Sequence, residues 1–265
     1  MNFIFIDGSY FIFYKFYALL NWWKLAKNQD NIEDIVELEE FKEKFIKTFS
    51  DKINEIEKKL KITNSIKLVG KDCPRREIWR NKITNNYKDN RNDKKNAFCS
   101  NFFKLVYKDK LFEKNNIKTI LQHPELEADD CIAITVKHIL QNYNDAKIWI
   151  IANDMDYLQL ASEKVNIYNL KYINISEKKS STSDPDCDKF CKIVCGDKSD
   201  NIKGIFDKCG IKTAIQLYNN KELFQDKLKD KNIYDKYLLN KSLIDFDEIP
   251  ENLVNSFKKT VLKIS

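Results

Sequence analysis

Short apolar runs that end in a carboxylate recur along this chain, and they constrain its fold more than any other feature. Phe3-Ile4-Phe5-Ile6 ends at Asp7-Gly8-Ser9. Ser65 to Val69 leads to Asp72, Ile117 to Leu121 to Glu127-Ala128-Asp129-Asp130, and Ile148 to Ala152 to Asp154-Met155-Asp156. Val165 to Leu170 is a fifth run. Such runs predict strands buried on both faces, as in a parallel sheet. Helical patterns lie between them. Tyr10 to Trp23 reads as a buried helix. Ile35, Leu38, Phe41, Phe45, Phe49, Ile53, Ile56 and Leu60 recur at spacings of three and four, which predicts one face of a single long amphipathic helix. Strand–helix alternation predicts an α/β protein with a mainly parallel sheet. Ligands of such sheets bind beyond the C-terminal strand ends, where these carboxylates lie.

With Asp197 and Asp200 the clustered acids number nine. Neighbouring carboxylates repel one another, a cost that bound cations remove. Glu127, Asp129 and Asp130 open a predicted helix and gain from its dipole. Positions i, i+2 and i+3 cannot all face one way, so they divide between metal contact and support; plain N-capping is the competing reading. Oxygen donors of this kind favour Mg2+ or Mn2+ over Zn2+. In Gly196-Asp197-Lys198-Ser199-Asp200-Asn201-Ile202-Lys203-Gly204-Ile205, a helical turn would aim Asp197 and Asp200 at one ion. Gly204 and Gly210, followed by Lys212-Thr213, read as a helix–hairpin–helix whose turn amides and helix N-terminus hold backbone phosphates.

The net charge is +6, but with the nine acids set aside 46 bases face 31 acids. A basic shell around an acidic pocket suits a polyanion attacked in that pocket; a Lys/Asn-rich coding bias would give the same average. From Lys71 to Lys114 there are 13 Lys/Arg against 6 Asp/Glu, interleaved with Trp79, Tyr87, Phe98, Phe102, Phe103, Tyr107 and Phe112. Glu177 to Asp186 reads as a linker, and short helices follow it. Seven cysteines without a signal peptide read as reduced, intracellular thiols. Cys187, Cys191 and Cys195 read as one packed helix face, since no histidine lies near in sequence to complete a zinc site. The apolar start from Asn2 to Leu20 is interrupted by Asp7 and Lys15, so it reads as strand and helix and not as a membrane span. There is no Gly-rich nucleotide loop and no Ser/His/Asp arrangement.

Five strings in this order resemble the flap endonuclease / 5′-nuclease family, which includes the 5′-nuclease domain of bacterial DNA polymerase I and phage 5′-exonucleases. They are Phe5-Ile6-Asp7-Gly8-Ser9, Tyr87-Lys88-Asp89-Asn90-Arg91, Glu127-Ala128-Asp129-Asp130, Asn153-Asp154-Met155-Asp156-Tyr157-Leu158-Gln159-Leu160, and Gly196-Asp197 through Gly204. The resemblance implies a PIN-like core over 1–180 with a helical arch at about 71–114, and a helical DNA-binding region over 186–265 with a helix-three-turn-helix element. It implies two divalent ions, the first held by Asp7, Asp72, Glu127, Asp129 and Asp130, the second by Asp154, Asp156, Asp197 and Asp200. Lys88 and Arg91 would contact the scissile phosphate. Arg75, Arg76 and Arg80 would serve nearby phosphates, with a solvated basic face as the alternative. Lys203, Gly204, Gly210, Lys212 and Thr213 would hold duplex DNA. The stretch Phe206–Gly210 is about one residue longer than the family pattern and lacks its first glycine, which leaves a K+ site in the hairpin open. The expected protein is a monomer that cuts DNA with 5′ flaps or single-stranded 5′ ends, and RNA–DNA hybrids as a further substrate, with a sliding-clamp partner left open. A non-catalytic DNA-structure binder and a PIN-type ribonuclease are the alternatives.

Overall fold

The computed structural model describes residues 1–91, 97–178 and 180–263. Five parallel strands form one sheet: β1 (Asn2–Asp7), β2 (Ser65–Gly70), β3 (Thr119–Leu121), β4 (Lys147–Ile151) and β5 (Val165–Tyr168), in the order β3-β2-β1-β4-β5. Along β1 the side chains alternate between faces. Ile4 and Ile6 join one core, and Phe3 and Phe5 the other. Both faces are covered, which explains the unbroken apolar runs. The strand order reverses between β1 and β4, so a crevice opens there at the C-terminal strand ends.

The first face is covered by α1 (Gly8–Lys27), α2 (Ile32–Glu37), α3 (Glu39–Leu60), α4 (Ala97–Lys108) and α5 (Leu111–Lys114). Its core is aromatic. Phe11, Phe16, Phe41, Phe45, Phe49, Phe102 and Phe112 are buried, with edge-on pairs such as Phe45–Phe102 at 4.8 Å. The expected single helix from Ile35 to Leu60 is two helices. Leu38 adopts an extended conformation (ψ 128°) between α2 and α3 and is 38% exposed. Glu39 and Glu40 then open α3, where carboxylates meet the positive end of the dipole.

The second face packs against α6 (Ala128–Asn142) and the C-terminal segment. Phe246, Ile249, Leu253 and Phe257 share a core with Phe5, Leu68, Ile148 and Ile150. The helical region that follows the sheet comprises α7 (Pro185–Cys195), α8 (Ile211–Asn219), α9 (Lys221–Lys227), α10 (Lys231–Ile244) and α11 (Glu251–Phe257), the last of which carries Leu253 and Phe257. Cys187 and Cys191 are buried on the inner face of α7, and all seven cysteines are free thiols. No described helix is long and apolar enough to cross a membrane.

The segment from Lys71 to Lys114, the expected arch, places several of its aromatics in the core. Trp79, Tyr87, Phe102 and Phe112 are core residues, so stacking on nucleotides is not open to them. Trp79 and Tyr87 follow short helical turns that wrap over the strand ends, and α4 and α5 pack on α1 and α3. Residues 92–96, within the expected arch, lie outside the described residues.

Candidate metal centre and nucleic-acid interface

Each predicted acid arrives at the crevice for a local reason. Asp7 ends β1 and caps α1: one oxygen accepts the Tyr10 amide (2.9 Å) and the other the Tyr157 hydroxyl (3.0 Å). Asp72 lies two residues beyond β2 and accepts the Ala128 amide (2.8 Å) and the Ser9 hydroxyl. Glu127 is the N-cap residue of α6, and Asp129 lies in its first turn. Asp154 follows β4 and caps the 3-10 turn Met155–Leu160, accepting the Asp156 amide (3.0 Å). Asp7, Asp72, Glu127, Asp129 and Asp154 line one cleft of about 390 Å³, with Ser9, Tyr10, Arg75, Lys88 and Arg91.

Among the described residues, no lysine or arginine lies within ion-pair distance of Asp7, Asp72 or Asp129. Burial, then repulsion from Asp72, pushes Asp7 up to about 7. Burial also raises Asp72. Asp129 is raised well above the usual carboxylate range by burial and by repulsion from Asp130 and Glu127. These half-buried acids have no cation at ion-pair distance among the described residues, and Lys88 and Arg80 only partly offset the repulsion at Asp72 and Asp129; an oxygen-ligated divalent ion would complete the compensation.

Asp130 and Arg80 are tied into a buried network beside the cleft, with one Asp130 oxygen within 4.8 Å of oxygens of Glu127 and Asp129. Asp130 is fully buried, and its oxygens accept from Trp79 Nε1 (2.9 Å), two Arg80 nitrogens (2.8 Å each) and the Glu127 amide (3.1 Å). Four donors make it the brace of the α6 N-terminus. Arg80 is 2% exposed and also donates to Glu127 (3.0 Å) and to the Leu243 carbonyl (2.7 Å). The expectation that Arg80 meets DNA phosphates is therefore corrected: its charge neutralises buried acids and ties α10 to α6.

Asp156, Asp197 and Asp200 form a second group, with one carboxylate oxygen of each within 4.8 Å of the others. Asp197 and Asp200 do not lie on a helical turn, as expected, but on a tight loop. The Asp197 amide donates to Ile202 O (2.9 Å) and the Ile202 amide to Asp197 O (2.7 Å). Gly196 allows this loop with φ +73°; a Cβ there would stand 2.4 Å from Ile202 O. Lys192, on α7, reaches into the group. Its ammonium pairs with Asp156, lies 2.8 Å from Asp197 and 3.8 Å from Asp154. Burial works against the Asp197 charge, but Lys192 and Ser199 hold this carboxyl down at about 2. Burial pushes Asp156 up to about 6 even with Lys192 beside it.

Lys88 joins the two groups. Its ammonium is 2.5 Å from Glu127 and 3.5 Å from Asp200. Burial opposes its charge, but Glu127 and Asp200 raise its pKa above the ordinary lysine value. The Tyr87 hydroxyl donates to Glu127 (2.9 Å), and Arg91 pairs with Asp200 at 2.5 Å. The backbone at Lys88 is left-handed (φ 54°), and the Arg75 guanidinium donates to its carbonyl. Arg75, Arg76, Asn81 and Arg91 also line a neighbouring hollow. Lys203, Gly210, Lys212 and Thr213 are exposed, and Gly204 is half-buried, on the loop between α7 and α8 and the first turn of α8.

Sequence reasoning missed Lys192, Tyr157, Ser9 and Trp79 as site residues. Lys192 alone left a signal, a lysine inside the apolar stretch Cys191–Val194. Tyr10 accepts the Leu170 amide with its hydroxyl (2.9 Å).

Comparison with known proteins assigns the family. A family model described as the N-terminal resolvase-like domain of 5′-3′ exonuclease matches residues 2–188. A 5′-3′ exonuclease of Buchnera aphidicola is 30% identical over 222 residues, 82% of this chain and 69% of that protein. Ribonuclease H of Enterobacteria phage T4 is 30% identical over 156 residues, 52% of this chain and 48% of that one. The fold is similar to that of a phage T5 protein crystallised with metal ions (TM-score 0.69, 20% identity, 100% of both chains). It is also similar to a phage T5 flap endonuclease complexed with DNA and metal ions (TM-score 0.68, 20% identity, 99% and 98% covered). With a family model over most of its length and an exonuclease relative across four-fifths of it, the chain belongs to the 5′-3′ exonuclease family.

Proposed function

We propose that the chain hydrolyses phosphodiester bonds of DNA carrying a 5′ flap or a single-stranded 5′ end, with two Mg2+ or Mn2+ ions. The observation that carries this reading is the set of half-buried carboxylates with no cation at ion-pair distance among the described residues, Asp7, Asp72 and Asp129, opening onto a cleft beside Lys88 and Arg91. Asp7, Asp72, Glu127 and Asp129 would hold the first ion, and Asp154, Asp156, Asp197 and Asp200 the second. When bound, the ions lower the pKa of water and neutralise charge on the phosphate. The Tyr157 hydroxyl and Tyr10 amide fix the Asp7 carboxylate, and Ser9 and the Ala128 amide fix Asp72. Lys88 and Arg91 supply positive charge where the phosphate accumulates negative charge. Arg75 and Arg76 extend that field along the strand. Lys203, Lys212 and the α8 N-terminus grip the duplex phosphates. Because the Asp197 loop runs directly into this element, duplex grip and ion binding are coupled.

The phage T5 protein is named a flap endonuclease and the phage T4 protein a ribonuclease H. Side-by-side cleavage of a 5′-flap DNA, a DNA-annealed RNA 5′ end and single-stranded RNA, in Mg2+ and in EDTA, tests the substrate. The flap is cut in Mg2+ and untouched in EDTA. A flap bound but uncut in both Mg2+ and Mn2+ refutes the reading, and preferential cutting of single-stranded RNA replaces it.

A further inference from the structure

The two acid groups are not electrically equivalent. Asp7, Asp72 and Asp129 have no ammonium or guanidinium within ion-pair distance among the described residues, whereas Asp156 and Asp197 share the Lys192 ammonium. Lys192 is not a mobile surface lysine. Its side chain is 17% exposed, between the buried Cys191 and Ile193. A divalent ion bound there would claim the same carboxylate oxygens. The ion and the ammonium would repel one another at this distance, and the flexible lysine stem permits withdrawal.

We propose that Lys192 is a built-in counter-ion of the second acid group, which a divalent ion must displace, so the two groups fill unequally. This rests on the reading of both groups as ion sites. In the first group Glu127 keeps Lys88 and Arg80, but Asp7, Asp72 and Asp129 have no such partner, and an ion there relieves their mutual repulsion. The second binds against a resident ion pair, which the ion must break. Lys192 thus keeps Asp156 and Asp197 compensated in the ion-free protein and lowers the affinity of that site.

The test measures Mn2+ binding without DNA, by electron paramagnetic resonance of free Mn2+, for the natural chain, Lys192→Met and Lys192→Arg. The natural chain shows a tighter and a weaker class. Lys192→Met tightens the weaker class at least about tenfold and leaves the tighter class alone, while Lys192→Arg behaves as the natural chain. A second readout needs no variant: acetylation of lysines in the natural chain, mapped by mass spectrometry. Lys192 is protected without Mn2+ and becomes reactive as the weaker class fills. Unchanged or weaker binding in Lys192→Met, or a Lys192 still protected at saturating Mn2+, overturns the inference while leaving the nuclease reading intact. If Lys192→Met does not fold, the acetylation result decides alone. No Mn2+ binding by the natural chain removes both.

Discussion

Arg80 separates a structural account of this site from a simple DNA-contact account, and its removal has a calculable cost. The guanidinium makes two 2.8 Å bonds to Asp130, one of 3.0 Å to Glu127 and one of 2.7 Å to the Leu243 carbonyl, at 2% exposure. Arg80→Met leaves Asp130 charged, buried and stripped of its cation. Breaking one side of a buried pair costs about 3–5 kcal/mol. At about 2–4 °C per kcal/mol for a chain of this size, the melting temperature falls by about 6–20 °C. Replacing both partners, Arg80→Met with Asp130→Leu, removes the orphaned charge and recovers most of that loss. Glu127 keeps Lys88 and Tyr87 in the double variant, so it adds little further penalty. Thermal unfolding of the four proteins in EDTA gives the coupling energy. Fluorescence anisotropy with flap DNA gives affinity and its salt dependence. If Arg80→Met melts within about 2 °C of the natural chain and loses one unit of salt slope, Arg80 is a phosphate contact and the assignment is wrong.

Further outcomes follow from the same geometry. Asp7 at about 7 and Asp156 at about 6 titrate above the unfolded value of about 4, so between those pH values the folded, ion-free protein holds the extra protons. Its stability in EDTA therefore falls as pH rises from about 4 to 7, and Mn2+ affinity rises over the same window because the ion displaces those protons; urea titrations and calorimetry that are flat with pH contradict this. Asp197, at about 2, has the opposite sign: its contribution is present above about pH 4 and is lost as pH falls towards 2. Gly196→Ala places a methyl 2.4 Å from Ile202 O in a conformation that only glycine adopts readily. It costs at least about 2 kcal/mol by urea unfolding and weakens ion binding at Asp197 and Asp200, whereas a neutral result means the loop tolerates a side chain.

The sheet was legible because buried parallel strands write themselves as unbroken apolar runs, and four of the five runs point at an acid. The cleft acids Asp7, Asp72, Glu127, Asp129 and Asp154 were legible for the same reason: all follow strand ends. What sequence could not show is which charges are already spoken for. Arg80 and Arg76 look alike in a basic stretch, yet one is buried against Asp130 and the other is exposed. Asp130 and Asp129 are adjacent, yet a helix start turns one into a brace paired with Arg80 and leaves the other with a pKa raised by burial and by its acidic neighbours. Lys192 becomes part of the site only when α7 docks beside the 3-10 turn after β4, a contact between distant segments. The break at Leu38 was hidden by an apolar residue in phase with its neighbours; only the acids at Glu39 and Glu40 hinted at a new helix start.

Asp129 offers the most direct measurement, because it lines the cleft with no cation at ion-pair distance among the described residues. In single-turnover cleavage of a 5′-flap DNA with Mg2+, Asp129→Asn removes a ligand charge that the ion requires, worth several kcal/mol at the reacting phosphate, and slows hydrolysis about 1,000-fold. Flap binding and the melting temperature in EDTA are retained or raised, since an acid repelled by Asp130 and Glu127 is gone. A variant that folds, binds the flap and cuts it within tenfold of the natural rate contradicts the claim that these strand-end acids hold the ions that perform the hydrolysis.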